Sequence, residues 1–370
     1  MAVRAQARVD LGAVERNCAH LLLQLSGGAE LCAVVKADGY GHGALRCAKA
    51  ALAGGATRLA VATAGEAEEL RAELPEAPLL TMGALTAEEL DLALAARSEV
   101  TVWSERFRRL AADRGEALGA PVRAHVKHDS GMGRLGNRDA AEVRRLCDAC
   151  AEDRGLELAG VWTHFATADE PDSAFFDEQL GRFAELAAAV RRDHPGVTIH
   201  AANSAAVFRD PKAHFDMARC GIAIYGLDPF GEDPAARGLQ PALALHTYVA
   251  DLKRFAAGDS AGYGRSWRAA AETWVGVLPI GYGDGVRRGL SNNAEVLVGG
   301  RRYPLVGTVS MDNLTIDLGA ETDVECGAEA VLIGGQGEER ILAEEVARRL
   351  GTINYEVTCG VSARVPRVSG

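Results

Sequence analysis

Eight short apolar runs, separated by amphipathic helical segments, dominate the first 235 residues of the chain. The runs have the lengths of strands and cover residues 31–36, 59–63, 78–82, 99–103, 122–127, 158–163, 197–202 and 219–225. Helical spacing fills the gaps, as in "TAGEAEELRAEL" and "RDAAEVRRLCDACAEDRG". Near-continuous apolar strands that alternate with helices predict a parallel sheet covered on both sides. A count of eight predicts that this sheet closes into a (β/α)8 TIM-type barrel.

An open, doubly wound sheet is the alternative, but no G-x-G-x-x-G follows the first strand.

Beyond residue 240 the pattern changes to strands punctuated by glycines, as in "ETWVGVLPI" and "AEVLVGGRRYPLVG", and only "ILAEEVARRLG" has a strong helical pattern. The segment "LDPFGEDPAARGLQP" between the two patterns is rich in glycine, proline and charge. We therefore predict an α/β fold with a barrel over residues 1–235 and a mostly β C-terminal domain over residues 236–370.

Composition excludes several classes of partner. The net charge of −11 argues against a nucleic-acid or anionic-membrane surface, since both attract clustered lysine and arginine. No apolar stretch is long enough for a membrane span, and the first residues contain no signal-peptide core. Among the eight cysteines only Cys147 and Cys150 form a C-x-x-C, which reads as mid-helix, and no second pair lies nearby to complete a zinc site. We expect a cytoplasmic protein with reduced cysteines and no metal.

The C-terminal ends of barrel strands form the rim where active sites of such folds are built. Polar residues lie at or just after the ends of the predicted strands there: Lys36 ends the first, Lys127 ends the fifth and Arg134 follows it, His164 follows the sixth, Asn203 and Ser204 follow the seventh, and Arg219 and Gly221 lie on the eighth. A helix start beside a glycine turn after the last two strands is typical of a phosphate site in a barrel. His125 and His128 do not add a metal site, since on a strand they point to opposite faces.

A lysine at a strand end opposite a phosphate site is compatible with two chemistries. One is a Schiff-base aldolase that acts on a sugar phosphate, and the other is pyridoxal phosphate (PLP) bound covalently to Lys36. In a PLP site an aspartate would keep the ring nitrogen protonated and strongly electron-withdrawing. Arg219 would instead donate a hydrogen bond to an unprotonated nitrogen.

Several motifs in the right order resemble those of the alanine racemase family, the fold-type III PLP enzymes, over nearly the full chain. In "AVVKADGYGHG" the resemblance makes Lys36 the aldimine lysine and places Tyr40 by the phosphate. The segments "HVKHDSGMGRLG", "THFATADE", "HAANSAA" and "RCGIAIYG" are similar to family segments that hold substrate and cofactor. From these it implies a substrate-side Arg134, cofactor contacts from His164, Asn203 and Ser204, a ring-nitrogen partner in Arg219, and phosphate donors at Gly221 and Ile222. Lys127 matches a lysine that is often carbamylated in the family, and the alternative is an ordinary lysine in a salt bridge.

Motifs in the second predicted domain complete the resemblance. "AGYGRSW" is similar to the segment with the catalytic tyrosine, which would be Tyr263, and "INYEVTC" implies Tyr355 at the phosphate. The segments "IGYGDG" and "VGTVSMDN" imply substrate-side residues, namely Tyr282, Met311 and Asp312. The departures are small: Gly39 stands where alanine is common, and Ser130 where threonine is usual.

The resemblance implies racemisation of L- and D-alanine through an external aldimine, with Lys36 and Tyr263 as bases on opposite faces of the substrate. A tyrosine hydroxyl is a weak acid, and the family offers His164 and Arg219 as the hydrogen-bonded chain behind it. The family places Tyr263 across a subunit interface, so a homodimer is implied, as is a supply of D-alanine for peptidoglycan.

Rival functions remain at this point. A serine or broad-specificity racemase would share every motif, since one hydroxyl in a small pocket changes discrimination only modestly. A PLP-dependent decarboxylase is disfavoured by Arg219, a single-domain PLP carrier by the presence of "AGYGRSW", and a sugar-phosphate aldolase by the β domain.

Overall fold

The computed structural model describes residues 4–370, and its strands are numbered here from the N-terminus, with β1 at Gln6–Val9. The chain divides into two compact units. One contains residues 14–39 and 44–224, and the other contains residues 4–13, 40–43 and 225–370. No helix within residues 4–370 is both long and apolar enough to cross a membrane.

The first unit is a closed barrel of parallel strands, which confirms the predicted fold class. Within the described residues its eight strands, in barrel order, are β2 (Glu30–Val34), β3 (Arg58–Val61), β4 (Leu79–Thr81), β5 (Glu99–Val102), β6 (Val122–Lys127), β7 (Leu156–Trp162), β8 (Thr198–His200) and β9 (Met217–Cys220). Nearly every strand residue is buried, as expected for a sheet covered by helices. Pairing of β2 with β9 closes the barrel.

Helices connect the barrel strands. Their bounds are Ala44–Ala53, Ala64–Glu73, Ala87–Ala95, Glu105–Leu118, Ala140–Glu152, Phe175–Asp193 and Ser204–Arg209, and helix Leu11–Gln24 precedes β2 in the chain. Local sequence fixes several of their starts: Thr63 with Glu66, and Thr86 with Glu89, form capping boxes. Cys147 and Cys150 are buried thiols within helix Ala140–Glu152, as the helical pattern predicts.

The second unit is mostly β. Its main sheet runs in the order β11 (Asp251–Phe255), β14 (Thr273–Leu278), β17 (Leu314–Gly319), β16 (Arg301–Val306), β15 (Glu295–Val298), β18 (Glu329–Gln336), β10 (Leu243–Tyr248), β1, β20 (Arg367–Ser369), with β19 (Glu339–Ile341) paired to β18. A separate pair is formed by β12 (Ser260–Ala261) and β13 (Trp267–Arg268). The helices are Ala343–Leu350, which the sequence predicts, and Asn354–Cys359.

Three details differ from the sequence-based expectation. Strand β1 was not predicted, and it pairs with β10 and β20 in the second unit although the pattern assigns its residues to the barrel. The last barrel strand was predicted over residues 219–225, but β9 ends at Cys220 and the chain turns into a 3-10 helix over Ile222–Tyr225. It turns because the Ser204 hydroxyl accepts hydrogen bonds from the backbone N–H groups of Gly221 and Ala223, which a continuing strand would direct to a neighbour. The first barrel strand ends at Val34, two residues before Lys36.

Candidate active site at the barrel rim

The backbone that follows Lys36 has an unusual conformation. Ala37, Asp38 and Gly39 all have φ between 51° and 61°, in the left-handed region that residues with a side chain rarely adopt. Three hydrogen bonds hold this turn: Gly39 N–H donates to the Val35 carbonyl, Ala37 N–H to the Glu66 carboxylate, and Ala44 N–H to the Asp38 carboxylate. Strain of this kind persists only where surrounding contacts enforce it, and it is concentrated at functional sites.

Glu66 was not singled out from the sequence, yet it clamps this turn. One carboxylate oxygen accepts from Ala37 N–H at 2.7 Å, while the other accepts from the backbone N–H groups of Ala62 and Thr63. The same glutamate therefore caps a helix and fixes the backbone next to Lys36. The T-x-x-E pattern at residues 63–66 was the available signal.

Arg219 lies buried on β9 with its guanidinium held from several sides. It donates to the backbone carbonyls of Thr163 at 2.8 Å and Ala201 at 3.0 Å. It also donates to His200 Nδ1 at 2.8 Å and approaches His164 Nδ1 at 3.4 Å. Burial lowers the pKa of Arg219 to about 10, which leaves it charged at neutral pH.

Positive charge is concentrated around Arg219. Burial, followed by the charges of Arg219, Arg134, Lys127 and Lys36, lowers the pKa of His164 well below its ordinary value, so that its imidazole is neutral. Burial and the neighbouring cations also lower the pKa of Lys127 to about 7, against a smaller opposing effect of Asp129. The structure thus brings these five predicted side chains into one electrostatic cluster at the barrel rim.

Trp162, at the end of β7, packs under two of these cations. The Lys127 Nζ atom lies 3.9 Å from the indole centroid, and the Arg219 Cζ atom lies 4.7 Å from it. The ring face stabilises positive charge that few anions here offset. Nothing in the sequence marked this tryptophan beyond its place at a strand end.

The loop that carries Arg134 is folded on Asp129. Its carboxylate accepts from the backbone N–H groups of Gly131 at 3.1 Å and Gly133 at 2.9 Å. Arg134 itself is exposed, next to this turn. Asp129 therefore serves to shape the loop that presents Arg134.

The residues predicted to bind phosphate lie together after β8 and β9. Asn203 caps helix Ser204–Arg209 by accepting from Ala206 N–H at 2.9 Å. The Ser204 hydroxyl is buried and accepts from Gly221 N–H at 3.1 Å. Ile222 follows in the same turn.

The other predicted site residues belong to the second unit. Tyr40 packs between Tyr225 and Tyr355, with ring centroids 5.2 and 5.9 Å away. Elsewhere in this unit an open depression of about 460 Å³ is lined by Tyr263, Met311 and Asp312, among others.

Three large side chains in or beside this depression are exposed. Tyr263 has 72% of its surface exposed and Met311 has 52%. Tyr282, which is 43% exposed, donates its backbone N–H to the Ser310 carbonyl beside them. Clustered exposed apolar side chains mark interaction surfaces.

Comparison with known proteins accounts for both units. The family model "Alanine racemase, N-terminal domain" matches residues 9–229, and "Alanine racemase, C-terminal domain" matches residues 242–369. The chain belongs to the alanine racemase family. Membership makes it an enzyme of the isomerase class.

Known alanine racemases are similar to this chain over nearly their whole lengths. The alanine racemase of Frankia casuarinae is 42% identical over 99% of this chain and 96% of its own, and that of Symbiobacterium thermophilum is 43% identical over 98% and 96%. The solved alanine racemase of Streptomyces coelicolor superposes with a TM-score of 0.93 at 38% identity, covering 99% of this chain and 98% of that one. The family resemblance predicted from the motifs is therefore confirmed.

Proposed function

We propose that this protein interconverts L- and D-alanine with PLP as its cofactor. The observation that carries the proposal is the position of Lys36, held by an enforced left-handed turn at the rim of the barrel and within the cationic cluster around His164. Membership of the alanine racemase family supports the same reaction. A carbon acid as weak as the α-position of an amino acid needs an electron sink, which no side chain supplies.

The donor set around this cluster fits PLP. All four charges that shift His164 are positive, and a phosphate-bearing ligand would offset them. The residues that would hold the cofactor are Lys36, Tyr40, His164, Asn203, Ser204, Arg219, Gly221, Ile222 and Tyr355. Arg219 can only donate, so a ring nitrogen facing it would accept a hydrogen bond and stay unprotonated.

PLP, when bound, withdraws electrons from the substrate and acidifies its α-proton. The chain's own residues then move that proton. Lys36 removes or returns it on the D face of the α-carbon, and Tyr263 does so on the L face. One base on each face is what inverts the centre, since a single base would return the proton to the side it left.

His164 and Arg219 would favour the form of Tyr263 that can act as a base. A neutral His164 whose Nδ1 faces the donating Arg219 carries its proton on Nε2 and can donate it to a tyrosine oxygen, which favours the phenolate form of a tyrosine that reaches it. Met311, Asp312 and Tyr282 would narrow the substrate pocket to a small amino acid.

Lys127 and Arg134 would secure the substrate carboxylate. A lysine with a pKa of about 7 has a substantial neutral fraction at physiological pH, and only the neutral amine adds carbon dioxide. The resulting carbamate would be an anion able to hold the Arg134 guanidinium in place. A carbamate would explain why Lys127 lies among so many cations.

We further propose a homodimer in which Tyr263 of one subunit completes the site of the other. The exposed apolar cluster around Tyr263 and Met311 supports this, because such a surface in a lone chain lacks a partner. In this arrangement residues 1–235 are the cofactor-binding barrel, and residues 236–370 supply the second base. A cytoplasmic location fits the absence of disulfides among the eight cysteines of residues 4–370. A supply of D-alanine for peptidoglycan is proposed from the family alone.

The proposal is tested by racemisation and by cofactor trapping on one preparation. The protein is incubated with PLP and either enantiomer of alanine, with serine in parallel, and the optical purity is followed. We expect both alanine enantiomers to reach the same mixture. Borohydride reduction should then leave a pyridoxyl group on the tryptic peptide that contains Lys36.

Two lysine variants control the trapping. Lys36→Ala should lose the label, while Lys49→Ala, at an exposed lysine, should keep it. A label on another peptide, or no interconversion of alanine, would show the proposal to be wrong. Faster turnover of serine than of alanine would reassign the substrate.

A further inference from the structure

A line of hydrogen bonds runs through the barrel interior from Arg219 to Glu99. Arg219 Nη1 lies 2.8 Å from His200 Nδ1, and His200 Nε2 lies 2.8 Å from His125 Nδ1. His125 Nε2 lies 2.6 Å from the Glu99 carboxylate. The four residues come from β9, β8, β6 and β5, and all are buried.

Donor and acceptor chemistry gives this line a single direction. A guanidinium has only donors, so His200 Nδ1 must accept and carry no proton. A neutral His200 then donates from Nε2 to His125 Nδ1, and His125 donates from Nε2 to Glu99. A carboxylate only accepts hydrogen bonds, so the direction that Glu99 requires is the same as the direction that Arg219 requires. Both imidazoles are therefore neutral and in the Nε2–H form.

Glu99 is kept ionised by its surroundings. Burial alone would raise its pKa, but the hydrogen bond from His125 and the charge and hydrogen bond of Arg58 hold the pKa of Glu99 well below the usual range. Arg58 pairs with one carboxylate oxygen, and Arg123 donates to the other at 2.8 Å. The anion is thus locked at the start of β5.

We propose that Glu99 is a positioning residue for Arg219, acting through the directional relay of His125 and His200. The negative end makes each imidazole nitrogen a better acceptor, since hydrogen bonds in a chain polarise one another. His200 consequently binds the Arg219 guanidinium more firmly and holds its orientation beside His164. The inference rests on the proposed function only for its effect on rate.

The first test observes the histidine rings directly. Protein labelled with 15N in its imidazoles is studied by NMR in the holoenzyme, with His200→Phe used to assign the ring signals. We expect both His125 and His200 in the Nε2–H form, with the His125 proton far downfield because of its carboxylate partner. A His200 that is protonated at Nδ1, or cationic, would overturn the relay without any variant of Glu99.

The second test changes Glu99 and observes His200, which does not touch it. In Glu99→Gln we expect the His125 Nε2–H signal to move upfield and the His200 Nε2–H signal to move in the same direction by less. The control Glu157→Gln neutralises another carboxylate paired with Arg123 and should change neither signal. A His200 signal unmoved in Glu99→Gln would show that Glu99 is merely structural.

Kinetics give an independent readout. Glu99→Gln should lower kcat by about 10-fold with little change in KM, the size usual for partners behind a functional group, while Glu157→Gln should stay within about twofold of wild type. In a His200→Phe background, Glu99→Gln should have no further effect, because residues in one network are non-additive. Additive losses would contradict the relay. An inactive wild type with the expected ring spectra would instead reject the proposed function and leave the relay standing.

Discussion

Of the two lysines at the rim, Lys36 and Lys127, Lys127 is the more deeply buried. It is buried over the Trp162 ring, with Arg219, Arg134 and Lys36 as neighbouring cations. Its pKa of about 7, against an ordinary value of 10.5, means that folding releases its proton across the intervening pH range. Protonated, this residue destabilises the fold, and carbamylation would remove that penalty.

This predicts a pH-dependent stability difference between wild type and Lys127→Met. The unfolded chain binds more protons than the folded one between pH 7 and 10.5, so wild type gains stability with rising pH, by about 1.4 kcal/mol per pH unit at most. The advantage of Lys127→Met should be largest below pH 7 and should shrink up to pH 10. Urea unfolding at several pH values in carbonate-free buffer measures it.

Lys49→Met is the matched control, because Lys49 is half exposed. It should show no such trend. Adding 13C-bicarbonate near pH 8 should produce a carbamate carbon signal in wild type that is missing in Lys127→Met. A stability difference that stays level from pH 6 to 10 would contradict the burial argument.

At the scale of single elements, β7 depends on one glycine. The pairing of β6 with β7 slips between Ala124 and His125, a bulge that sets Gly160 opposite His125. A Cβ atom at Gly160 would lie 2.2 Å from His125 Nδ1 and 3.0 Å from the Thr198 carbonyl. The His125 ring cannot move away from an added Cβ atom, because both of its nitrogens are hydrogen-bonded.

Gly160→Ala should therefore destabilise the protein by about 1–3 kcal/mol, the usual cost of overpacking a core. The free energy of unfolding in urea is the measurement. Gly181→Ala is the control: it lies in helix Phe175–Asp193 with nothing within 4 Å of an added Cβ. That change should stabilise by roughly 0.5–1 kcal/mol. Equal effects of the two changes would refute the clash.

Sequence reasoning worked where the signal is local. Strand and helix periodicity predicted the barrel, and the position of Lys36 at the end of the first predicted strand placed it at the rim. It missed β1, because four residues of mixed polarity carry too weak a pattern and their pairing partners lie more than 230 residues away. It missed the relay for a similar reason: Glu99, His125 and His200 meet only because β5 to β8 pair in a register that the sequence does not show.

The end of β9 was also mispredicted because a residue distant in the sequence determines it. The apolar run from Arg219 to Tyr225 reads as a strand, but the Ser204 hydroxyl diverts its backbone. The left-handed turn after Lys36 was also invisible, since Ala37 and Asp38 adopt positive φ only under the hold of Glu66 and neighbouring groups. Side-chain to backbone bonds from distant residues override local propensity in both places.

At the scale of the whole molecule, the account requires two bases from different parts of the chain. Lys36 belongs to the barrel unit, and Tyr263 belongs to the β-rich unit, where it is exposed. The barrel unit alone would supply Lys36 but not Tyr263, and could remove the proton on one face only. The second domain is what makes the proposed reaction a racemisation.

The most direct measurement is α-proton exchange from L- and D-alanine, each followed separately by proton NMR in heavy water. Wild type should exchange both enantiomers, and Tyr248→Phe, at an exposed tyrosine on β10, should behave like wild type. In Tyr263→Phe we expect exchange from L-alanine to fall by on the order of 100-fold or more, with D-alanine still exchanging through Lys36. Equal and unimpaired exchange from both enantiomers in Tyr263→Phe would contradict the account.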